Sequence, residues 1–157
     1  MIERKYSFRR EYDPESQAYL YIFLSRSRKR SIPKAVLYSP RESDGDLYYN
    51  VGFGDLIIDP VTNEFVGLDD VTESNNGDML AIFYTVVSTF DDFFEQHPNA
   101  TLYFKGSNEQ RSKVYSSLIA KHWRHIAPLY TVWGIKRENK EYFMPDVSYE
   151  SIFCKRK

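Results

Sequence analysis

The turn at residues 105–108 is the segment whose residue types are best suited to hold an anion. It follows a short β-prone stretch, and a glycine there lets the backbone turn tightly into a helix. The first N–H groups of a helix have no partner within it and point outward, which favours negative charge. Basic side chains stand on both sides of this turn. The sequence therefore predicts an anion site formed by Lys105, Gly106, Ser107, Asn108 and Arg111.

A plain structural explanation competes with this site and is favoured by the same residues. Ser107 and Gln110 stand three apart, the spacing at which a capping box closes the start of a helix. Gly106 would then serve the turn alone. The spacing of a P-loop is absent, and so is the glycine pattern of a dinucleotide-binding turn.

A second candidate is a run of cations that follows an aromatic-rich stretch. Its basic residues are Arg26, Arg28, Lys29 and Arg30. Lysine and arginine contact phosphates and aromatic rings stack on bases, so the run could touch nucleic acid. The sequence pI of about 6.3 lacks the basic excess of a dedicated nucleic-acid binder, and a solvated loop is the favoured interpretation.

The sequence gives little support for a metal site or for a catalytic nucleophile. The acidic residues Asp69, Asp70, Glu73 and Asp78 could attract a hard cation, but their order is not that of an EF-hand. They are better explained as a solvated loop before a helix. The histidines have no sequence-local partner that would identify a catalytic triad, and Cys154 reads as a spare thiol. We predict no metal site and no cofactor.

Charge is divided along the chain in an unusual way. Residues 42–104 hold 13 acidic residues and no lysine or arginine. Residues 1–41 hold ten basic and four acidic residues, and residues 105–157 hold eleven and five. Such a division could orient a partner electrostatically, or the acidic and basic segments could lie side by side and neutralise each other.

Two segments have the three- and four-residue apolar spacing of amphipathic helices. The first runs from Met79 to Phe94, with Asn75 or Asn76 as its cap and Asp78 in its first turn. The second carries an apolar stripe from Val114 to Ile126 and is closed by a proline. His122, Arg124 and His125 lie in its last turns, where the helix dipole favours cations.

The other segments read as strands. Alternation and turn residues predict hairpins at residues 6–24, 47–68 and 130–144, with further strands at 31–38 and 101–104. The expected fold is α+β, an antiparallel or mixed β-sheet with two main helices packed on one face. Residues 1–157 are expected to form a single domain.

The composition indicates the class of protein and the cellular compartment. A hydrophobic fraction of 42% and an aromatic fraction of 17% are typical of a folded domain. The charged start does not resemble a signal peptide, and no apolar run is long enough to cross a bilayer. With a single cysteine, no internal disulfide can form, so we expect a cytoplasmic protein with no membrane contact.

Several short motifs suggest a family. They are the sequence Gly-Phe-Gly-Asp at 52–55, Ser-Asn-Asn-Gly-Asp at 74–78, Thr-Val-Val-Ser-Thr at 85–89, and Gly106-Ser107 followed by Arg111 and Val114-Tyr115. Over roughly residues 45 to 125 the chain resembles an uncharacterised family of small bacterial proteins, a domain of unknown function. The resemblance implies no reaction, cofactor or catalytic residue.

The leading hypothesis is a binding or regulatory module that engages a protein or an anionic ligand; nucleic acid is the less favoured partner. The alternative is a toxin-like enzyme acting on nucleic acid or on a phosphorylated small molecule. In it Lys105, Ser107 and Arg111 would hold the phosphate, and His122 or Tyr115 would assist proton transfer. An acyl-group transferase using the same turn is a third hypothesis. The sequence leaves open whether the protein is an enzyme, and its oligomeric state.

Overall fold

The computed structural model describes residues 5–69 and 77–157, which form nine strands and three helices. The helices are α1 (Met79–Gln96), α2 (Glu109–Lys121) and α3 (Trp123–Ile126). The strands are β1 (Arg9–Asp13), β2 (Ala18–Arg26), β3 (Ser31–Ser43), β4 (Asp46–Ile58), β5 (Phe65–Asp69), β6 (Thr101–Lys105), β7 (Tyr130–Lys136), β8 (Asn139–Tyr142) and β9 (Ser151–Arg156). They make one mixed sheet in which β4 and β6 are parallel. The predicted α+β class, with a mixed sheet and two main helices, is confirmed.

The chain divides into two compact units, and strands β3 and β4 contribute to both. Unit 1 comprises Met1–Ser39 and Gly52–Phe93, and unit 2 comprises Pro40–Val51 and Phe94–Lys157. The expectation of a single domain over residues 1–157 stays a prediction.

Unit 1 is built from antiparallel hairpins and most of α1. Strands β1, β2 and β3 pair in sequence order, and β5 pairs with the second half of β4. The turns contain residues in a left-handed backbone conformation, Gln17 at φ 61° and Asn63 at φ 60°. The predicted hairpins at residues 6–24 and 47–68 are therefore confirmed, with the first strand beginning at Arg9.

Helix α1 packs its aromatic stripe on the sheet of unit 1. Phe93 is fully buried and stacks on Tyr38, with ring centroids 4.4 Å apart, and meets Tyr19 edge to face. The hydroxyl of Tyr38 is hydrogen-bonded to Oγ1 of Thr89 at 2.7 Å. Burying a ring of this size stabilises the fold by about 1.5–3 kcal/mol, so the periodicity that predicts the helix also supplies the core.

In unit 2 the strand order is β4, β6, β9, β7, β8. The last strand of the chain, β9, lies between β6 and β7 and pairs antiparallel with both. Sequence reasoning did not assign β9. Its Cys154, read as a spare thiol, is 3% exposed in the centre of this sheet, and burial raises the pKa of the thiol. The side chain therefore belongs to the core.

Helix α2 is hydrogen-bonded through small polar residues to the two residues that precede β9. Ser112 Oγ donates to Glu150 O at 3.0 Å, and Ser116 Oγ accepts from the amide of Tyr149 at 3.0 Å. The expected continuous helix to residue 126 is interrupted. It breaks at His122, whose φ of −107° and ψ of 19° end α2 and begin the short α3.

Two further expectations concern the start of α1. Asp78 precedes the helix instead of lying in its first turn, and its carbonyl accepts from the amide of Ile82 at 3.0 Å. The proposed caps Asn75 and Asn76, and the acidic residues Asp70 and Glu73, lie outside the described residues. In the part of the chain that is described, no helix is both long and apolar enough to cross a membrane.

Candidate functional site

The predicted anion site lies where β6 ends and α2 begins. A Cβ on Gly106 would stand 2.4 Å from the amide nitrogen of Ser112 and 2.8 Å from Cβ of Arg111, so only glycine allows the helix to approach this closely. The amide of Gly106 donates to Ser112 Oγ at 3.0 Å. The glycine therefore serves close packing, and its N–H is already engaged.

The cap of α2 is Asn108, one residue after the expected Ser107. Its side-chain oxygen accepts from the amide of Arg111 at 2.8 Å, and its backbone oxygen accepts from the amide of Ser112 at 3.1 Å. The extended backbone of Asn108, at φ −149° and ψ 173°, is typical of a helix cap. The turn brings Lys105, Gly106, Ser107, Asn108 and Arg111 together, but two of the amides on which an anion site would depend are used within the protein.

We expect Asn108→Ala to lower the free energy of unfolding by about 1 kcal/mol, because it removes the acceptor for the Arg111 amide. Urea denaturation measures the change. Asn108→Asp keeps an acceptor at this position and should restore most of the stability. A variant Asn108→Ala as stable as the parent would show that the cap contributes nothing.

The second predicted site is an exposed hairpin tip, Arg26–Arg30, which joins β2 to β3 and which we call the basic hairpin. The amide of Ser27 donates to Arg30 O at 2.9 Å, and Ser27 Oγ accepts from the amides of Lys29 and Arg30 at 3.2 and 3.3 Å. The tip is therefore closed by one serine. All four of its cationic residues are exposed: Arg26, Arg28, Lys29 and Arg30.

A partly buried polar group, formed by Tyr6, Ser25 and Asp78, holds the base of the basic hairpin. The hydroxyl of Tyr6 accepts from the amide of Arg26 at 3.1 Å and donates to Oδ2 of Asp78. Ser25, which is fully buried, donates to the same carboxylate oxygen. The hairpin tip is thus tied to the residue that precedes α1, and its cations project from an anchored base.

Two other cations of residues 1–41 form ion pairs with carboxylates of the acidic middle segment, residues 42–104. Nζ of Lys34 lies 2.5 Å from Oδ1 of Asp55, with only 6% of the lysine side chain exposed. Nη1 of Arg10 lies 2.7 Å from Oδ2 of Asp92, which also accepts from the hydroxyl of Tyr21. Burial and this hydrogen bond raise the pKa of Tyr21. At these places oppositely charged segments pair within unit 1, while the hairpin cations remain exposed.

A third feature, which sequence reasoning missed, is a row of aromatic side chains across the unit-2 sheet. Paired residues of neighbouring strands point to the same face. Tyr103 pairs with Phe153, Phe153 with Trp133, and Trp133 with Tyr142. Tyr48 adds a ring whose centroid is 5.9 Å from that of Tyr103. These five residues are called the aromatic row, and the face that carries them the outer face.

The outer face is the side of the sheet that α2 does not contact. Phe104, next to Tyr103 and therefore on the opposite face, meets Tyr115 of α2 edge to face. Leu102 and Cys154, also on that opposite face, are buried. The rings of the aromatic row are instead half-exposed, and Tyr142 is 70% exposed.

Lysines accompany the aromatic row. Nζ of Lys140 lies 5.0 Å from the ring centroid of Trp133 and 4.5 Å from that of Phe153, within cation–π range. Lys105 and Lys155 share the outer face by their strand registers and are exposed. Among the described residues of these strands with the same orientation, Asp46 is the one acid, at the far end of β4. The face is therefore aromatic and basic.

The sequence predicts no metal site, and the described residues contain no cluster of side chains that could form one. Within residues 5–69 and 77–157 there is no group of three or more histidine, cysteine, aspartate or glutamate side chains that could hold a metal ion. The predicted helix-end residues lie beyond Lys121, the last residue of α2. His122 is the C-cap of α2, and Arg124 and His125 are in the last turn of the short α3. The arrangement of the described residues offers contacts for a ligand at the basic hairpin and on the outer face.

Fold and site together define an α+β protein with a mixed open sheet, one exposed basic hairpin and one exposed aromatic face. Residues 3–157 match the model of a family of unknown function, DUF6934, and the chain belongs to that family. The match extends well beyond the 45–125 range of the sequence resemblance. Comparison with curated proteins and comparison with solved structures each found no match.

Proposed function

We propose that this protein is a binding module that captures an anionic partner through the basic hairpin. The observation that carries the proposal is the exposure of Arg26, Arg28, Lys29 and Arg30 on one anchored turn. Clustered cations of this kind attract closely spaced negative charges and accelerate association. A bacterial origin and a cytoplasmic location stay predictions that belong to this proposal.

The contrast between paired and exposed cations supports this function. Lys34 and Arg10 come from the same part of the sequence, yet each lies in an ion pair with the acidic middle segment. The hairpin cations differ from these two in burial, since all four of them are exposed. The polar group of Tyr6, Ser25 and Asp78 instead holds the hairpin base and leaves its cations projecting.

The enzyme alternative is less well supported by the described residues. Its phosphate site would use the turn at Gly106, where the amides of Gly106 and Arg111 donate to Ser112 and Asn108. A phosphate there would have to rely on the remaining amides and on side chains. Binding through the basic hairpin does not depend on these amides.

Charge reversal of Arg28 and Lys29 to glutamate should weaken polyanion binding at least about tenfold at low salt. Each lost cation should also lower the slope of log affinity against log salt by about one. The turn should persist, because Ser27 Oγ accepts from backbone amides that the variant retains. Binding to heparin and to polyglutamate, measured as a function of salt, distinguishes a partner rich in sulfate-like or phosphate groups from a carboxylate-rich partner.

The matched control reverses two exposed cations in unit 2, Lys121 and Arg124, and changes net charge by the same amount. It should retain most of the binding. Equal losses in both variants would mean that net charge alone attracts the polyanion, and the basic hairpin would then have no specific role. Circular dichroism of each variant checks that the fold is intact.

A further inference from the structure

The outer face of unit 2 presents ring surfaces that a planar ligand can reach from solvent. The ammonium group of Lys140 already lies over the rings of Trp133 and Phe153. Tyr142, at the end of the row, has 70% of its surface exposed. The aromatic row therefore offers an exposed ring at its Tyr142 end and half-exposed rings along the rest of its length.

The length of the row suits more than one planar group. Five adjacent strands at a spacing of about 4.8 Å place its outermost residues roughly 19 Å apart. Neighbouring centroids are separated by 5.9 Å between Tyr48 and Tyr103, 4.8 Å between Tyr103 and Phe153, and 5.9 Å between Trp133 and Tyr142. Several rings of a repeating ligand could contact the face together.

The charge of the outer face indicates which repeating ligand fits. Lys105, Lys140 and Lys155 project among or beside the aromatic rings, while Asp46 lies at the far end of β4. Lysine is depleted in protein–protein interfaces, although aromatic residues are enriched there. Aromatic side chains with interspersed cations are instead the combination that holds bases and phosphates of single strands.

We propose that the outer face binds single-stranded nucleic acid, with bases stacked on the aromatic row and phosphates paired with Lys105, Lys140 and Lys155. A duplex is disfavoured because its bases are stacked on each other and their faces are not available to the rings. This site lies in unit 2 and uses none of the residues of the basic hairpin, so it stands independently of the function proposed above.

The decisive variants remove one exposed ring and one half-buried ring of the aromatic row. Tyr142→Ala changes an exposed side chain, and Trp133→Leu keeps apolar volume while removing the ring. Loss of a stacked base contact should weaken binding of a labelled single-stranded oligonucleotide about 5- to 100-fold. Lys155→Gln should instead lower the salt slope by about 0.7, the contribution of one phosphate contact on a single strand.

Fluorescence anisotropy with single-stranded RNA, single-stranded DNA and a duplex of the same sequence measures these effects. Quenching of tryptophan fluorescence gives a second readout, because the chain has only two tryptophans and one of them is in the aromatic row. In a Trp123→Phe background the signal comes from Trp133 alone. Ligand-dependent quenching there would support direct stacking.

Tyr12→Ala is the matched control, since Tyr12 is an exposed tyrosine, 48% exposed, on a strand of unit 1. It should bind single strands like the parent. Unchanged binding by both Tyr142→Ala and Trp133→Leu would overturn the proposal, as would equal affinity for the duplex. Loss of binding in the Arg28/Lys29 reversal but not in the ring variants would assign the nucleic acid to the basic hairpin instead.

Discussion

Gly134→Ala should lower the free energy of unfolding by about 3 kcal/mol, near the upper end of what overpacking one methyl group costs. A Cβ at Gly134 would lie 2.2 Å from ring atoms of Tyr149. That ring is 2% exposed and cannot move aside easily. The backbone amide of Tyr149 donates to Ser116 Oγ. The Tyr149 hydroxyl donates to Glu141 Oε1 and accepts from the amide of Met144.

Gly67→Ala is the control for this prediction. Gly67 also lies in a strand, β5, but a Cβ there would meet nothing within 4 Å. Its free energy of unfolding, measured by urea denaturation, should stay within about 0.5 kcal/mol of the parent. In a Tyr149→Ala background the Gly134 substitution should lose most of its cost, because the clashing ring is gone. A Gly134 variant as stable as the Gly67 variant would contradict the packing.

Asp55→Ala should destabilise the protein by about 3 kcal/mol, because it leaves the charge of Lys34 buried without its carboxylate. Only 6% of the Lys34 side chain and 22% of the Asp55 side chain are exposed. The lysine also lies over the ring of Phe53, with Nζ 5.8 Å from the centroid, but this contact does not replace a counter-charge. Denaturation midpoints measure the loss.

Removing the Lys34 ammonium as well should restore much of the lost stability. The double variant Lys34→Met and Asp55→Ala eliminates the buried ammonium and should regain at least half of the lost stability. Glu11→Ala tests an exposed pair as a control, since Arg9 and Glu11 have 71% and 52% of their side chains exposed. It should change stability by less than about 1 kcal/mol. An Asp55 variant that behaves like Glu11→Ala would show that the Lys34 pair is solvated.

Local signals predicted most of the elements. The three- and four-residue spacing of large apolar side chains located α1, since a helix buries one stripe of its surface. Alternation interrupted by turn residues located the hairpins, since strands pair where the chain can reverse tightly. Both signals act over a few residues and can therefore be detected without knowledge of the fold.

The expected anion site shows where such reasoning stops. A glycine, polar residues and cations at a strand-to-helix turn fit either an anion pocket or a capped helix. The distances decide which amides are engaged: Asn108 takes that of Arg111, and Ser112 takes that of Gly106. The close approach of the Arg111–Ser112 backbone to Gly106 also explains the glycine without a ligand.

The aromatic row was not predictable because its members lie far apart in sequence. Tyr48, Tyr103, Trp133, Tyr142 and Phe153 each belong to a different strand. They become neighbours only because β9, whose six residues gave no recognised strand signal, inserts between β6 and β7. The available local signal was the β-prone run of β9, in which Phe153 lies between Ser151 and Lys155. The strands that pair with this run depend on the strand order, which local signals do not give.

The amino-acid pattern by itself determined an α+β chain with two main helices, tight hairpins and segregated charge, since each of these follows from spacing and composition over short distances. Tertiary structure alone decided which charges pair, which amides are engaged and which rings share a face. Hydrogen-bonded strand pairing joins residues as distant in the sequence as Thr101 and Lys155. The resulting strand order placed Lys34 against Asp55 and an aromatic ring on each of five neighbouring strands.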